Sequence, residues 1–189
     1  MMKNSHQFGY YLFQKAPGPG VALKDMLQFT RTYSRGKGLQ FAHVEGESSL
    51  IPHLTLWENI HVVTGGHSWA ELVLSMEDDL KPLTNLIKNP HIETKVATPW
   101  ERLTVSLIKA SLMNAQHLLV DIDEALHSPI NVLNFKKIIT VIAQKKNVYI
   151  ATANMSLWLD CAHSIVKRNG YEFIIEELDL ERLKRHKTA

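Results

Sequence analysis

ATPWERLTVSLIKASLMNAQHLLVDIDEALHSP, residues 97–129, is the stretch whose reading decides the fold. Pro99 suits the first turn of a helix, and Thr98 in front of it suits an N-cap. Leu103, Val105, Leu107, Ile108, Ala110 and Leu112 cover most of the circumference of the run Trp100 to Met113. That helix is therefore expected to be largely buried. Leu118 to Val120 is a short apolar run closed by Asp121, the pattern of a buried strand. Acidic residues follow, and Pro129 opens a second amphipathic helix that carries Val132, Leu133, Phe135, Ile138, Ile139 and Ile142 to about Gln144. Helix, buried strand and helix in succession predict an α/β fold with a mainly parallel sheet.

The flanks extend this alternation. Upstream, FGYYLFQ (residues 8–14) reads as a buried strand that breaks at Ala16-Pro17-Gly18-Pro19-Gly20. Val21 to Tyr33 follows as a helix, with Leu23, Met26, Leu27 and Thr30 expected on one face. Leu39 to Val44 is strand-like. Thr55, with Glu58 three residues on as a capping-box acid, is a candidate helix start, and Ser68 is a candidate cap for the next helix. Residues of about 55–97 are expected to form a small helical lobe inserted in the α/β core. Its last helix is placed between Met76 and Ile87, with Pro82 near its start. Downstream, Val148 to Thr152 is a strand and Met155 to Ala162 a helix. Asn169-Gly170 is a hairpin turn, and a charged helix from Asp179 to Lys187 closes the chain.

Composition narrows the function. At 189 residues, with 45% hydrophobic, the chain is expected to be a single domain with a sizeable core. A net charge of +2 is too small to mark a nucleic-acid binder. No run of about 18 apolar residues is present, so no direct membrane insertion is expected. The first residues lack the pattern of a signal peptide, and a lone Cys161 suits a reducing compartment. A cytoplasmic location is the expectation. The ten histidines form no His-x-x-x-His set, and Cys161 and His163 have the wrong spacing for one helical face, so no metal site is expected. No catalytic residues are assigned.

Taken in order, the motifs resemble those of ATP-binding cassette (ABC) ATPases, over about residues 8–176. The string Leu50-Ile51-Pro52-His53-Leu54-Thr55-Leu56-Trp57-Glu58-Asn59-Ile60 is similar to the run that follows the family's glutamine loop. Gly18 and Lys24 stand at P-loop separation, with Gly20 between them. Ala97 to Glu101 match the signature sequence by position, and Asp121 matches the Walker B aspartate. The Asn-Gly hairpin resembles the family's terminal one. The resemblance implies a P-loop NTPase-like sheet with a helical subdomain, and ATP with magnesium as the ligands that the motifs would have held.

The residues depart from that pattern at the chemical positions. Leu23 replaces the second P-loop glycine, and Asp25 replaces the hydroxyl residue that ligates magnesium. An aspartate there would set its charge beside a triphosphate. Gly46 stands in the glutamine's place, Ile122 in that of the catalytic glutamate, Ser128 in that of the D-loop aspartate and Ala153 in that of the switch histidine. Pro99 has no amide hydrogen to offer a nucleotide. The segment before the P-loop-like turn is short, so the family's N-terminal antiparallel strands are expected to be largely missing. Two readings follow. In the first, the chain is a degenerate pseudo-ATPase with no cofactor, a structural or regulatory subunit docked on a membrane permease or a partner ABC ATPase, or paired as a homodimer. It would lie peripherally on the inner face of the membrane, with Trp57 and Trp69 as partner-binding residues or as filling of the lobe's core. In the second, it is a diverged ATP-binding protein that still holds nucleotide through Gly18, Gly20, Lys24 and Asp121. An unrelated small-molecule enzyme on this fold is a third class, which no residues support.

Overall fold

The structure, a computed structural model, describes residues 10–14, 21–33, 38–45, 49–66, 68–76, 78, 80–121, 128–152, 154–170 and 172–178. In chain order the elements are β1 (Tyr10–Gln14), α1 (Val21–Tyr33), β2 (Phe41–Glu45), α2 (Leu56–Thr64), α3 (Trp69–Ser75), α4 (Lys81–Thr84), α5 (Pro99–Leu112), β3 (His117–Asp121), α6 (Pro129–Ile142), β4 (Asn147–Thr152), β5 (Ser164–Asn169) and β6 (Glu172–Glu177). The six strands form one sheet in the order β2-β3-β4-β1-β5-β6. All neighbours are parallel except the β5–β6 hairpin. The expected α/β fold is what the chain adopts.

Alternation along the strands puts two different cores on the two faces of the sheet. Leu12, Ala42, Val44, Leu118, Val120, Val148 and Ile150 point to the side covered by Leu103 and Leu107 of α5 and by Phe135 and Ile139 of α6. Leu119, Tyr149, Ala151 and Val166 point to the side covered by Met26 and Phe29 of α1. That second face is aromatic. Phe29 lies 5.1 Å from Tyr149 and 5.4 Å from Phe173, ring centre to ring centre. His117 is buried in the same layer beside Phe41, and burial pushes its imidazole pKa below the ordinary value. A third cluster joins α2, α3 and the 80–87 segment to the far side of α5 through Leu56, Ile60, Leu72, Leu83, Val105 and Ile108.

Helix α5 is as buried as the sequence implies, because it is packed from both sides: Leu103 and Leu107 belong to the sheet-side core, Val105 and Ile108 to the helical cluster. Its start is a capping box. Thr98 Oγ1 accepts from the Glu101 amide, and Glu101 Oε2 accepts from the Thr98 amide. The same device opens α2 with Thr55 and Glu58, and α3 with Ser68 and Glu71.

Three expectations are corrected. On α1 the buried face runs through Asp25, Met26 and Phe29, while Leu27 is 38% exposed. The aromatic underside of the sheet selects Phe29 over Leu27. The helix expected between Met76 and Ile87 is α4, with Pro82 in its first turn. Leu83, Leu86 and Ile87 each donate to a carbonyl three residues back, so this segment is a chain of tight turns. Met155 to Ala162 makes only a 3-10 turn, Met155–Leu157, and further tight turns. Trp158 pins it there, fully buried and edge-on to Phe135. In the hairpin, Asn169 pairs with Glu172, so Gly170 takes the first turn position with φ 61° and Asn169 remains in the strand. The expected closing helix from Asp179 lies outside the described residues.

Candidate functional site

The carboxyl ends of the parallel strands form one edge, where ligands of open α/β sheets gather. Strand register fixes which residues meet there. Gln14 at the end of β1 is level with Thr152 of β4, and Asp121 at the end of β3 is level with Ala151 of β4 and Glu45 of β2. Asp121 is half-buried at that edge. The P-loop-like turn, with Gly18 and Gly20, lies outside the described residues, as do Ile122 to Glu124 and Ala153. Lys24 belongs to α1, and its side chain lies outside the described set.

Asp25 is the informative residue of this edge. Its side chain is 9% exposed, and its Oδ1 accepts from Arg168 Nη1 at 2.5 Å. Arg168 Nε donates to the Gly170 carbonyl at 2.9 Å, which steadies the guanidinium at the hairpin tip. The carboxylate at the start of α1 is thus paired, and it ties α1 to β5. Arg168 was not singled out in the sequence. It is separated from Asp25 by most of the chain, and no local pattern links them. The one available signal is a lone acid on the apolar side of an amphipathic helix, which needs a cation when buried.

The positions that match the signature sequence are occupied by helix-start chemistry. Glu101 is buried, and its Oε2 accepts from both the amide and the hydroxyl of Thr98, at 3.0 and 2.8 Å. Arg102 Nη1 donates to the Ala97 carbonyl at 2.6 Å. Trp100 packs against the sheet-side core. Ser128, in the place of the D-loop aspartate, is the N-cap of α6 and accepts from the Asn131 amide at 3.2 Å.

The string after residue 50 is held by one buried amide. Asn59 Nδ2 donates to the carbonyls of Ile51 and Thr55 and to Thr94 Oγ1, and its Oδ1 accepts from the Ile51 amide. Thr94 Oγ1 in turn donates to the Leu54 carbonyl. Trp57 and Trp69 are brought together edge-on, 5.9 Å between ring centres. Both are half-buried and pack on the cluster built from Leu56, Ile60 and Leu72.

The strand order, the helix-flanked parallel sheet and the helical cluster on α5 define a P-loop NTPase-like fold of the ABC ATPase kind. No protein-family model matches the sequence, and no curated protein matches it. Among solved structures the chain is similar to one described as the ATP binding subunit of an ABC transporter, with a TM-score of 0.64. The match covers 94% of this chain and 82% of that chain at 16% sequence identity, so what the two share is the fold. Among the described residues no helix is long and apolar enough to cross a membrane, and no cluster of His, Cys, Asp or Glu could hold a metal ion.

Proposed function

We propose that this chain is a catalytically inactive ABC-type subunit, a structural or regulatory component that docks on a membrane permease or a partner ABC ATPase. The observation that carries this reading is the Asp25–Arg168 pair. By the resemblance, residue 25 is where a hydroxyl would ligate magnesium. Here that place holds a carboxylate already neutralised by a guanidinium of the hairpin. Freeing it for a metal would leave Arg168 without its partner and would add an anion next to the triphosphate. The residues present do not fit a magnesium-nucleotide complex.

The other departures point the same way. Ile122 has no proton-accepting group where a catalytic glutamate would stand, and Ala153 has none where the switch histidine would stand. The signature positions spend their polar atoms on capping α5. Elements that act as a unit in phosphoryl transfer lose nearly all rate when one is removed, and here several are gone. The subunit would lie on the inner face of a membrane through its partner. Trp57 and Trp69, beside the ordered string held by Asn59, are the side chains proposed to meet that partner, since tryptophan is enriched in binding hot spots.

Titration calorimetry with magnesium-ATP tests the reading. No binding is expected at millimolar nucleotide, with or without magnesium. Hydrolysis should be absent and should not return in Ile122→Glu. A dissociation constant in the micromolar range would overturn the inactive reading in favour of a diverged protein that holds nucleotide through Gly18, Gly20, Lys24 and Asp121.

A further inference from the structure

A buried imidazole sits where three elements meet. His117 opens β3 and is 5% exposed. Register places it between Phe41 of β2 and Asn147 of β4. Its ring stacks on Phe41 with 4.7 Å between ring centres, lies 6.0 Å from the Tyr149 ring, and is edge-on to Tyr33 at 6.3 Å. Nδ1 is 3.4 Å from the Tyr149 hydroxyl. Tyr33 is the last residue of α1, and Phe41 is the first of β2. One side chain therefore joins the end of α1 and the start of β2 to the inner strands of the sheet.

A neutral imidazole suits this place, and an imidazolium does not. The neutral ring has one donor and one acceptor nitrogen, whereas the charged ring has two donors and a charge that burial leaves unsolvated. Among the described residues no carboxylate pairs with it. The polar and titratable groups around it come from every neighbouring element. Burial keeps the Tyr149 hydroxyl of β4 protonated, and Tyr11 of β1, stacked on Tyr149 at 4.7 Å, is raised in the same way. Tyr33 closes the layer from α1. Asn147 is uncharged. By strand alternation His43 lies on the same face of β2 as Phe41. Farther off, Glu177 of β6 acts on Tyr11, Arg31 of α1 is exposed, and Asp25 is paired with Arg168. None of these acts on His117 as a counter-charge, and burial moves its pKa downward.

We propose that His117 is an acid-sensitive latch: neutral, it holds the last turn of α1 and the start of β2 on the sheet, and charged, it lets them go. A proton binds the undocked ring more tightly than the docked one. Undocked, the imidazole titrates near its ordinary pKa of about 6.5. Docked, it takes a proton only at lower pH. The latch is therefore fully closed above about pH 6.5, and its hold weakens as pH falls from there through the docked value. The other end of α1 is tied separately, by Asp25 and Arg168. Acid opening therefore starts at Tyr33 and not along the whole helix.

Histidine titration and amide exchange on the full chain test this. In NMR spectra recorded from about pH 8 to about pH 5, the His117 ring, assigned through its contacts with Phe41 and Tyr149, is expected to titrate below the ordinary midpoint of about 6.5. Over the same fall, amide hydrogen exchange corrected for its intrinsic pH dependence should quicken at least about tenfold at residues 31–33 and 41–43. Residues 25–27 should change less. His117→Gln, which has no titrating ring, should remove that acid step, while His43→Gln and Asp25→Asn should keep it. A His117 midpoint at or above about 6.5 would mean that the aromatic rings hold the imidazolium, and it overturns the proposal. So does corrected exchange that stays level with pH, an acid step that survives in His117→Gln, or one that vanishes in His43→Gln or Asp25→Asn. If His117→Gln does not fold, the titration and exchange of the unchanged chain decide the matter alone.

Discussion

Asp25 and Arg168 show how a single position changes its role when the surroundings change. A buried carboxylate costs several kcal/mol unless paired, and here the pair is made across the width of the fold. Arg168 is 41% exposed while Asp25 is 9% exposed, so solvent screens part of the attraction and the aspartate bears most of the desolvation. Asp25→Asn is expected to cost about 1.5–3 kcal/mol, the range for a hydrogen bond to a charged group. Arg168→Met should cost a similar amount, since it leaves the acid buried alone. In the double variant the two losses should be less than additive, as for residues in direct contact. Chemical denaturation of the four proteins checks this; strict additivity would mean that the two side chains do not interact. Lys24→Ala serves as the control, expected within about 0.5 kcal/mol as at ordinary surface sites.

At the scale of elements, the helices begin more predictably than they end. Thr55, Ser68 and Thr98 each cap with a partner acid three residues on; each cap was readable ahead of its helix, and for Thr55 so was Glu58, because both halves of a capping box lie within one turn. Thr98→Ala removes the hydroxyl acceptor from the Glu101 amide and the hydroxyl that donates to Glu101 Oε2. It should destabilise the protein by about 1 kcal/mol, measured as a shift in the denaturation midpoint at unchanged slope. A loss near zero would mean that the buried Glu101 satisfies α5 without Thr98. The segment that departed from its expected form depends on a remote contact. Residues 155–162 were expected to form a helix, yet they turn so that Trp158 reaches a core built by other segments.

The whole molecule separates its tryptophans by depth. Trp158 is 1% exposed between α6 and the sheet, and its replacement by alanine should cost about 3–5 kcal/mol. Trp57 and Trp69 are half-buried on the helical cluster, so Trp69→Ala should leave the chain folded with a smaller loss. If these two rings meet a partner, Trp57→Ala and Trp69→Ala should weaken capture of permease-containing membranes while thermal unfolding stays cooperative. Full-sized stability losses with unchanged capture would assign both rings to the core alone and remove the docking subunit's proposed contact.

What the sequence by itself determined is the class of the fold, because its signals are local. A buried strand shows as a run of apolar residues, a helix start as a cap and its acid, and the alternation of the two implies a parallel sheet. The order of the motifs was legible for the same reason: it needs only spacing along the chain. Only the tertiary structure decided the strand order, the two unlike faces of the sheet and the pairing of Asp25 with Arg168. Those depend on contacts between residues far apart in the chain, and no periodicity records a distant partner.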